Sequence, residues 1–165
     1  MSRVLLNVID EIRRTDREPL QRLLVGTGFF SEDEIAIAVE LIDVVLDRPE
    51  QKDYMIRVCR DGDRVLGYYC VGPTPATEST YDLYWIAVAP AMQGKGIGGA
   101  LNAHLEELIR SRGGNLVVAE TSSRPQYEKT RRFYRSCGYA ELARIAGYYR
   151  PGDDLVVFGK YLSQP

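Results

Sequence analysis

The order of sequence patterns predicts a mixed α/β fold, with a mostly antiparallel sheet flanked by helices. Three observations carry this prediction. Helical periodicity dominates the first third of the chain, strand patterns follow from about residue 54, and a glycine-rich turn in the middle joins an apolar strand to a helix. The chain has 165 residues, of which 45% are apolar and 27% charged. This is enough for a sizeable core, so we expect a single domain over residues 1–165.

Two helices are predicted before residue 50. Thr15 is the expected N-cap of a helix over residues 16–24. Ser31 and Glu34 have the spacing of a capping box, and apolar residues then recur at helical spacing until Pro49. A pair of helices should therefore precede most of the sheet.

The pattern after Pro49 is that of strands. Segments 54–59 and 64–71 flank turn residues and predict a hairpin. Segment 81–88 is apolar on both faces except for Asp82, which is typical of a central strand covered on both sides. Further strands are predicted at 116–120, 142–149 and 155–161, the last two forming an antiparallel pair, and a short edge strand is preferred over a helix within 4–12.

Two more helices are predicted in the second half. The first covers 97–112, and the second covers 127–137 and ends at Gly138. The apolar face of the first helix is formed by Ile97, Leu101, Leu105 and Leu108. The only histidine, His104, lies beside that face and is expected to be a half-buried structural residue.

Composition excludes several functional classes. The 21 Lys and Arg residues against 23 Asp and Glu give a net charge of −2 without a long basic run, which argues against a dedicated nucleic-acid surface. No apolar stretch of about 18 residues is present to span a bilayer. The N-terminal segment does not resemble a secretory signal, so the expected location is cytoplasmic. The three cysteines form no C-x-x-C pair, so we expect buried thiols and neither disulfides nor a metal site.

The segment 88–101 is the most informative part of the sequence. It joins a strand to a helix through glycines at positions 94, 96, 98 and 99. Glycines let backbone N–H groups approach a ligand closely, and a helix N-terminus carries about half a positive charge. Together they favour a phosphate ligand, to which Lys95 could add a point charge.

Two common phosphate-binding motifs fit this turn poorly. A Walker loop requires Ser or Thr after its lysine, whereas Lys95 is followed by Gly96. The dinucleotide fingerprint G-x-G-x-x-G matches at Gly94, Gly96 and Gly99, with Glu120 downstream. However, residues 90–93 separate these glycines from the strand, and the second βαβ half is missing. An NAD-dependent oxidoreductase is therefore a weak alternative.

The pattern Q-x-x-G-x-G, formed by Gln93, Gly96 and Gly98, resembles that of the GCN5-related N-acetyltransferase (GNAT) superfamily. The resemblance covers about 54–161 and implies a GNAT-type sheet that is splayed where acetyl-coenzyme A binds. It also implies that backbone amides of the turn bind the pyrophosphate and that the preceding strand binds the pantetheine arm. The implied coenzyme-binding residues are Ile86, Ala87, Val88, Gln93, Gly94, Lys95, Gly96, Ile97, Gly98, Gly99, Ala100 and, toward the phosphates, Arg131.

A second, separate motif supports the resemblance. Phe133 and Tyr134 are followed a few residues later by Gly138 and Tyr139, as in the family's later helix. The resemblance implies that Tyr134 is the general acid that protonates the departing thiolate. The alternative is that both aromatic residues are ordinary core side chains.

Acetylation of an amine also requires a base, because an ammonium cannot attack a thioester before it loses a proton. Asp82 is the only carboxylate in its apolar strand, and it stands eleven positions before Gln93, where several family members place a catalytic Glu. Glu120, at the end of the next strand, is the second candidate. Either could act directly or through a water molecule.

The predicted activity is transfer of an acetyl group from acetyl-coenzyme A to a primary amine of a small molecule or amino acid, by direct attack without a covalent enzyme intermediate. The alternatives are a coenzyme-binding regulatory module without catalysis and an enzyme that acetylates protein or peptide amines. No metal is required, and a homodimer is compatible with the family. The candidate acceptor-binding residues are Tyr84, Arg124, Tyr127 and Tyr149.

Overall fold

The computed structural model describes residues 7–162, in which seven strands and four α-helices alternate. The strands are β1 (Val8–Glu11), β2 (Met55–Asp61), β3 (Arg64–Pro73), β4 (Thr80–Val88), β5 (Leu116–Ser122), β6 (Ala140–Arg150) and β7 (Asp153–Tyr161). The helices are α1 (Arg17–Gly26), α2 (Glu32–Asp47), α3 (Ile97–Ser111) and α4 (Glu128–Ser136). Short 3₁₀ turns lie at Arg14–Asp16, Pro90–Met92 and Pro125–Tyr127. The predicted mixed α/β class is confirmed.

The strands form one sheet in the order β1-β2-β3-β4-β5-β7-β6. The pairs β1–β2, β2–β3, β5–β7 and β6–β7 are antiparallel, whereas β4 and β5 are parallel. The parallel ladder comprises only three pairs, from Thr80 with Leu116 to Asp82 with Val118. A parallel pair needs a long crossover connection, and α3 supplies it.

Two compact units can be distinguished along the chain. The first extends to Gly72 and includes Trp85–Leu105. Its core lies between the β2–β3 hairpin and the helices α1 and α2, and it is formed by Leu20, Leu24, Ala38, Ile42, Ile56, Val58 and Tyr68, all almost completely buried. The predicted capping box of α2 is present, since Glu34 N donates to Ser31 Oγ (3.2 Å) and Ser31 N donates to Glu34 Oε2 (2.7 Å).

The start of α1 differs from the prediction, because Thr15 does not cap it. Asp16 occupies the N-cap position after a 3₁₀ turn. Its carboxylate accepts hydrogen bonds from Arg13 N (2.7 Å) and from the guanidinium of the buried Arg60. A charge-assisted bond to a buried arginine is stronger than a threonine cap, and this partner on β2 is remote in sequence.

Burial along β4 and α3 corrects two further predictions. β4 is not covered on both faces, because Asp82 is half-buried and Tyr84 is 37% exposed. The fourth buried apolar residue of α3 is Ile109 instead of Leu108, which is half-buried. With 3.6 residues per turn, both positions follow Leu105 at helical spacing, so periodicity alone does not choose between them.

The second unit comprises Pro73–Tyr84 and the chain from Glu106 onward. Its core contains Val117 and Ala119 of β5 together with Tyr134 and Phe158, whose rings lie 5.6 Å apart. A buried ion pair joins Lys160 Nζ to Glu106 Oε1 (2.7 Å). β6 forms the end of the sheet, and all its residues are exposed.

The cysteines follow the prediction in part, since Cys59 and Cys70 are buried and Cys137 is half-buried. Residues 7–162 contain no group of three or more His, Cys, Asp or Glu side chains placed to hold a metal ion. No helix within this range is both long and apolar enough to cross a membrane.

Adjacent tyrosines of β3 provide a test of the core. Tyr68 is fully buried, and within residues 7–162 its hydroxyl has no hydrogen-bond partner, whereas Tyr69 Oη lies 2.9 Å from His104 Nδ1. An unsatisfied buried hydroxyl costs about 1–3 kcal/mol. Tyr68→Phe should therefore raise the melting temperature by roughly 2–4 °C, measured by calorimetry. The matched variant Tyr69→Phe should lower the melting temperature. A lower melting temperature in Tyr68→Phe than in the unchanged protein would contradict the prediction and indicate a partner for the Tyr68 hydroxyl.

Candidate active site

The glycine-rich turn of the first unit exposes main-chain donors. The helical hydrogen bonds of α3 begin with Ala100 N donating to Gly96 O (3.0 Å). The N–H groups of Ile97, Gly98 and Gly99 precede this bond and have no acceptor within the helix. Gly96 and Gly99 are exposed and Gly98 is half-buried, so a ligand can approach these N–H groups.

Two of the glycines are required by backbone conformation. Gly94 has φ +74° and Gly96 has φ +82°, values that disfavour residues with a Cβ. Apart from the chain neighbours and, at Gly99, the backbone of α3, a Cβ at Gly94, Gly96 or Gly99 would meet no atom of residues 7–162 within 4 Å. The space above the turn is therefore open to a ligand, and the residues present fit a pyrophosphate group.

Gln93 supports the turn from within. Its Nε2 donates a hydrogen bond to Val88 O at the end of β4 (3.3 Å), and its backbone N donates to Pro90 O (3.4 Å). Met92, the residue before Gln93, also anchors the turn, because its side chain is buried. The glutamine of the motif thus holds the glycines at the end of the strand, while Lys95 is exposed beside them.

Close packing fixes the end of β4 against β3. Ala89 N donates to Leu66 O (2.8 Å), and a Cβ at Gly67 would lie 2.8 Å from Ala87 O and 3.1 Å from Leu101 Cδ1. Gly67 therefore allows β3, β4 and α3 to approach one another. The main chain of Ile86, Ala87 and Val88 is held directly before the turn.

Tyr134 lies in the core of the second unit. It is 5% exposed, and its ring lies 5.4 Å from that of Tyr139 and 5.6 Å from that of Phe158. Burial raises the pKa of its phenol well above the usual range. The hydroxyl therefore stays protonated at neutral pH.

The two candidate bases share one face of the sheet in the second unit. The ring of Tyr81 packs over Gly114 beside Ile109, so Tyr81 points toward α3. Asp82 follows Tyr81 and must point to the opposite face, as does its ladder partner Val118. Glu120 stands two residues beyond Val118 and shares that face, where it is exposed.

Residues from three elements meet near Glu120. Burial raises the pKa of Tyr149 to about 12, and the charges of Glu120 and Asp153 add to this shift, with Tyr127 also contributing. Glu120 and Tyr127 are thus among the groups whose charges act on the Tyr149 phenol. Tyr84 is exposed on β4, on the same face as Asp82.

Arg131 has a different environment from the one implied by the resemblance. It is 7% exposed, and its guanidinium donates to Ser122 O (2.6 Å), Arg124 O (3.0 Å) and Glu128 Oε2 (2.7 Å). These bonds hold the segment between β5 and α4. Arg124 caps the following 3₁₀ turn, and its backbone N donates to Ser122 Oγ (3.1 Å).

The aspartates at the start of β7 were not predicted as site residues. Asp153 is buried and accepts a short hydrogen bond from Ser122 Oγ. Asp154 binds Ser123 through two hydrogen bonds, Asp154 N to Ser123 Oγ (2.8 Å) and Ser123 N to Asp154 O (3.0 Å). In the sequence both aspartates are typical of turn residues. The available signal for a further role was the pair Ser122-Ser123 together with the pair Asp153-Asp154.

His104 is half-buried, as predicted, with its Nδ1 at Tyr69 Oη. Burial lowers the pKa of the imidazole, and the nearby Arg57 adds to this effect. The histidine is therefore neutral at pH 7 and serves the packing of α3 on β3.

Comparison with known proteins agrees with this geometry. The family model for the acetyltransferase (GNAT) domain matches residues 52–141. The N-alpha-acetyltransferase RimI of Mycobacterium tuberculosis (strain ATCC 25618 / H37Rv) is 35% identical over 94 residues, which are 55% of this chain and 55% of that protein. The chain thus spans about half the length of the curated relative it matches.

Solved structures show the same fold over nearly the whole chain. A protein from Desulfovibrio desulfuricans assigned to the GNAT family is 39% identical, with a TM-score of 0.92 over 95% of this chain and 99% of that chain. An aminoglycoside 6'-N-acetyltransferase complexed with coenzyme A is 17% identical and shares the fold, with a TM-score of 0.73 over 96% of this chain and 98% of that chain. The matched family model and the 39% identical structure confirm the resemblance predicted from the glycine turn: the chain belongs to the GNAT acetyltransferase family.

Proposed function

We propose that this protein transfers the acetyl group of acetyl-coenzyme A to a primary amine, and that the acceptor is the α-amino group at the N-terminus of a peptide or protein. The exposed N–H groups at the start of α3 carry the proposal, because they have no acceptor within the helix and a Cβ at Gly96 or Gly99 would meet no other side chain of residues 7–162 within 4 Å. Membership of the GNAT family supports the coenzyme, and the similarity to RimI supports the acceptor.

In this proposal, the first unit binds the coenzyme. The N–H groups of Ile97, Gly98 and Gly99 donate to the pyrophosphate, and the partial positive charge of the helix N-terminus adds to the attraction. Lys95 contributes a point charge at the exposed rim. Ile86, Ala87 and Val88 offer main-chain hydrogen bonds to the pantetheine arm, in the manner of an added strand.

In this proposal, two side chains carry the proton transfers. A carboxylate takes a proton from the acceptor ammonium, and the neutral amine attacks the thioester carbonyl carbon. A carbon–nitrogen bond forms as the carbon–sulfur bond breaks, and the Tyr134 hydroxyl donates its proton to the departing thiolate. The nitrogen releases its second proton to solvent as the amide forms, the tyrosine regains a proton from solvent, and no acyl group is attached to the protein.

Glu120 is the base that the geometry favours. It is exposed beside Tyr149 and Tyr127, whereas Asp82 is half-buried one strand away. Both carboxylates share one sheet face, so Asp82 is the alternative base or a second contact for the acceptor ammonium. Arg131 belongs to this proposal as the residue that holds the 122–128 segment.

An α-amino group suits carboxylate catalysis better than a lysine side chain does. The ordinary pKa of an α-amine is about 8, against about 10.4 for lysine. A larger fraction is therefore neutral at pH 7, and a weak base can remove the remaining proton at lower cost. This difference, together with the similarity to RimI, favours peptide N-termini over side-chain amines.

Coenzyme binding can be tested with a charge placed in the turn. Gly98→Asp puts a carboxylate at the proposed pyrophosphate site, so repulsion should raise the dissociation constant for acetyl-coenzyme A by roughly tenfold to a hundredfold in calorimetric titration. Ala103→Asp adds the same charge to an exposed position of the same helix and should change the dissociation constant for acetyl-coenzyme A by only about twofold. Equal effects of both variants would contradict the assigned site.

Tyr134→Phe removes the proposed acid and keeps the ring. Turnover, measured as release of free thiol with an alanine-terminated peptide, should fall roughly tenfold to a thousandfold, while coenzyme affinity stays unchanged. The control is Tyr139→Phe, which removes the hydroxyl of a neighbouring buried ring and should lower thermal stability more than turnover. Undiminished turnover in Tyr134→Phe would exclude this role.

The base can be identified by paired variants. Glu120→Gln should lower kcat/KM by roughly a hundredfold or more and remove the acidic limb of its pH profile, because the amide cannot accept the proton. Asp82→Asn should have the smaller effect. A larger loss of kcat/KM in Asp82→Asn than in Glu120→Gln would assign the base to Asp82. If the protein binds the coenzyme tightly but releases no thiol with any peptide or small amine, a regulatory module is favoured.

A further inference from the structure

Strand β6 leaves its ladder with β7 near the acceptor-side residues. A first shift in register lies between Glu141 and Ala143; pairing then continues to Ile145 opposite Leu155 and resumes only at Arg150 opposite Asp153. Residues 146–149 of β6 therefore stand opposite the single residue Asp154. This is a bulge with several extra residues, and bulges redirect side chains and are common beside active sites.

The carboxylate of Asp154 holds this bulge. Its Oδ1 accepts a hydrogen bond from Gly147 N (2.9 Å), and its Oδ2 accepts one from Arg144 Nη1 (3.3 Å). Gly147 has φ +63°, which glycine adopts at little cost. The Asp154 carboxylate thus accepts a hydrogen bond from Gly147 N–H, a main-chain group that has no ladder partner on β7 because pairing is interrupted there.

The main chain of Asp154 is bound in turn to the segment after β5. Its N–H donates to Ser123 Oγ (2.8 Å), and its carbonyl accepts from Ser123 N (3.0 Å). β5 carries Glu120 three residues earlier. Asp154 therefore connects the bulge directly to the end of the strand that bears the favoured base.

The bulge presents two adjacent tyrosines. The rings of Tyr148 and Tyr149 stack edge to face, with centroids 5.0 Å apart, and they are 57% and 49% exposed. The hydrogen bonds of Asp154 tie this bulge to Ser123, three residues beyond Glu120, and the charge of Glu120 contributes to the raised pKa of the Tyr149 phenol. An exposed phenol beside a carboxylate can contact an ammonium through its oxygen or its ring face.

We propose that Asp154 is a positioning residue, which holds the 146–149 bulge so that Tyr149 stays beside Glu120 in the acceptor-binding part of the site. This inference rests on the proposed acetyl transfer to peptide amines. Asp154 does not contact the acceptor, and it acts through Gly147 and Ser123. Its loss should therefore affect acceptor binding and leave coenzyme binding intact.

Two substitutions that disturb the same bulge test the proposal. Asp154→Ala removes the acceptor for Gly147 N–H, and Gly147→Ala places a Cβ at a positive φ. Both should raise KM for an alanine-terminated peptide about tenfold or more, with KM for acetyl-coenzyme A changed by less than about twofold. Asp154→Asn keeps an oxygen that can accept from Gly147 N–H, so it should restore most of the peptide affinity.

The matched control is Glu141→Ala. Glu141 is the other carboxylate that binds Arg144 (2.9 Å) on the same strand, yet it makes no contact with Gly147 among the described bonds. It should leave both KM values unchanged. Similar peptide KM values in Asp154→Ala and Glu141→Ala, or equal rises in both substrates' KM, would overturn the proposal.

A second measurement needs neither acceptor nor turnover. In protein labelled with ¹³C-tyrosine, the ring signals of Tyr148 and Tyr149 are assigned by their loss in the Phe variants. Asp154→Ala and Gly147→Ala should shift both signals toward those of free peptides, because the edge-to-face pair separates. Unmoved signals would overturn the positioning role. Shifted signals in a protein that acetylates no amine would retain the role of Asp154 in the bulge and reject the proposed function.

Discussion

The parallel pairing of β4 with β5 is the constraint from which the remaining features follow. Adjacent parallel strands require the chain to return to the same end of the sheet, and α3 makes this return. A crossover helix must start just beyond the end of the first strand. The N-terminus of α3 is therefore placed at the end of β4, where the glycine turn leaves its first N–H groups exposed.

The same pairing determines the faces of the two strands. Asp82 is the last β4 residue in the ladder, and its partner Val118 precedes Glu120 by two positions on β5. Because side chains alternate along a strand, this register places both carboxylates on the face opposite α3. A shift of one residue would turn Glu120 toward the core, where an unpaired carboxylate is costly.

Much of the fold was predictable because the deciding signals are local. The capping box of α2, the hairpin between β2 and β3, and the glycines around α3 depend on residues close in sequence. The glycine turn and the Tyr134 motif were found for the same reason. Their identification required no knowledge of distant contacts.

The features that the sequence did not predict depend on contacts between residues that are far apart in the chain or on which elements cover a strand. Asp16 replaces Thr15 at the start of α1 because it binds Arg60, which is 44 residues away. Arg131, which the resemblance directs toward the coenzyme phosphates, binds carbonyl groups that precede α4. Burial of β4 on one face depends on which elements cover it, and periodicity carries no information about that.

Asp154 illustrates why the acceptor side of such a site is hard to derive from sequence. Pro151 and Gly152 are typical of a turn, and the structure has a turn there, directly before Asp153 and Asp154 begin β7. The structural role of Asp154 arises from bonds to Gly147 and Ser123, and the latter lies 31 residues away. In the proposed site, the coenzyme is bound by main-chain groups of a helix that follows a glycine turn, whereas the acceptor is bound by side chains on an irregular strand. On this proposal, substitutions at 146–149 would change acceptor specificity and leave the turn, and with it coenzyme binding, unaltered.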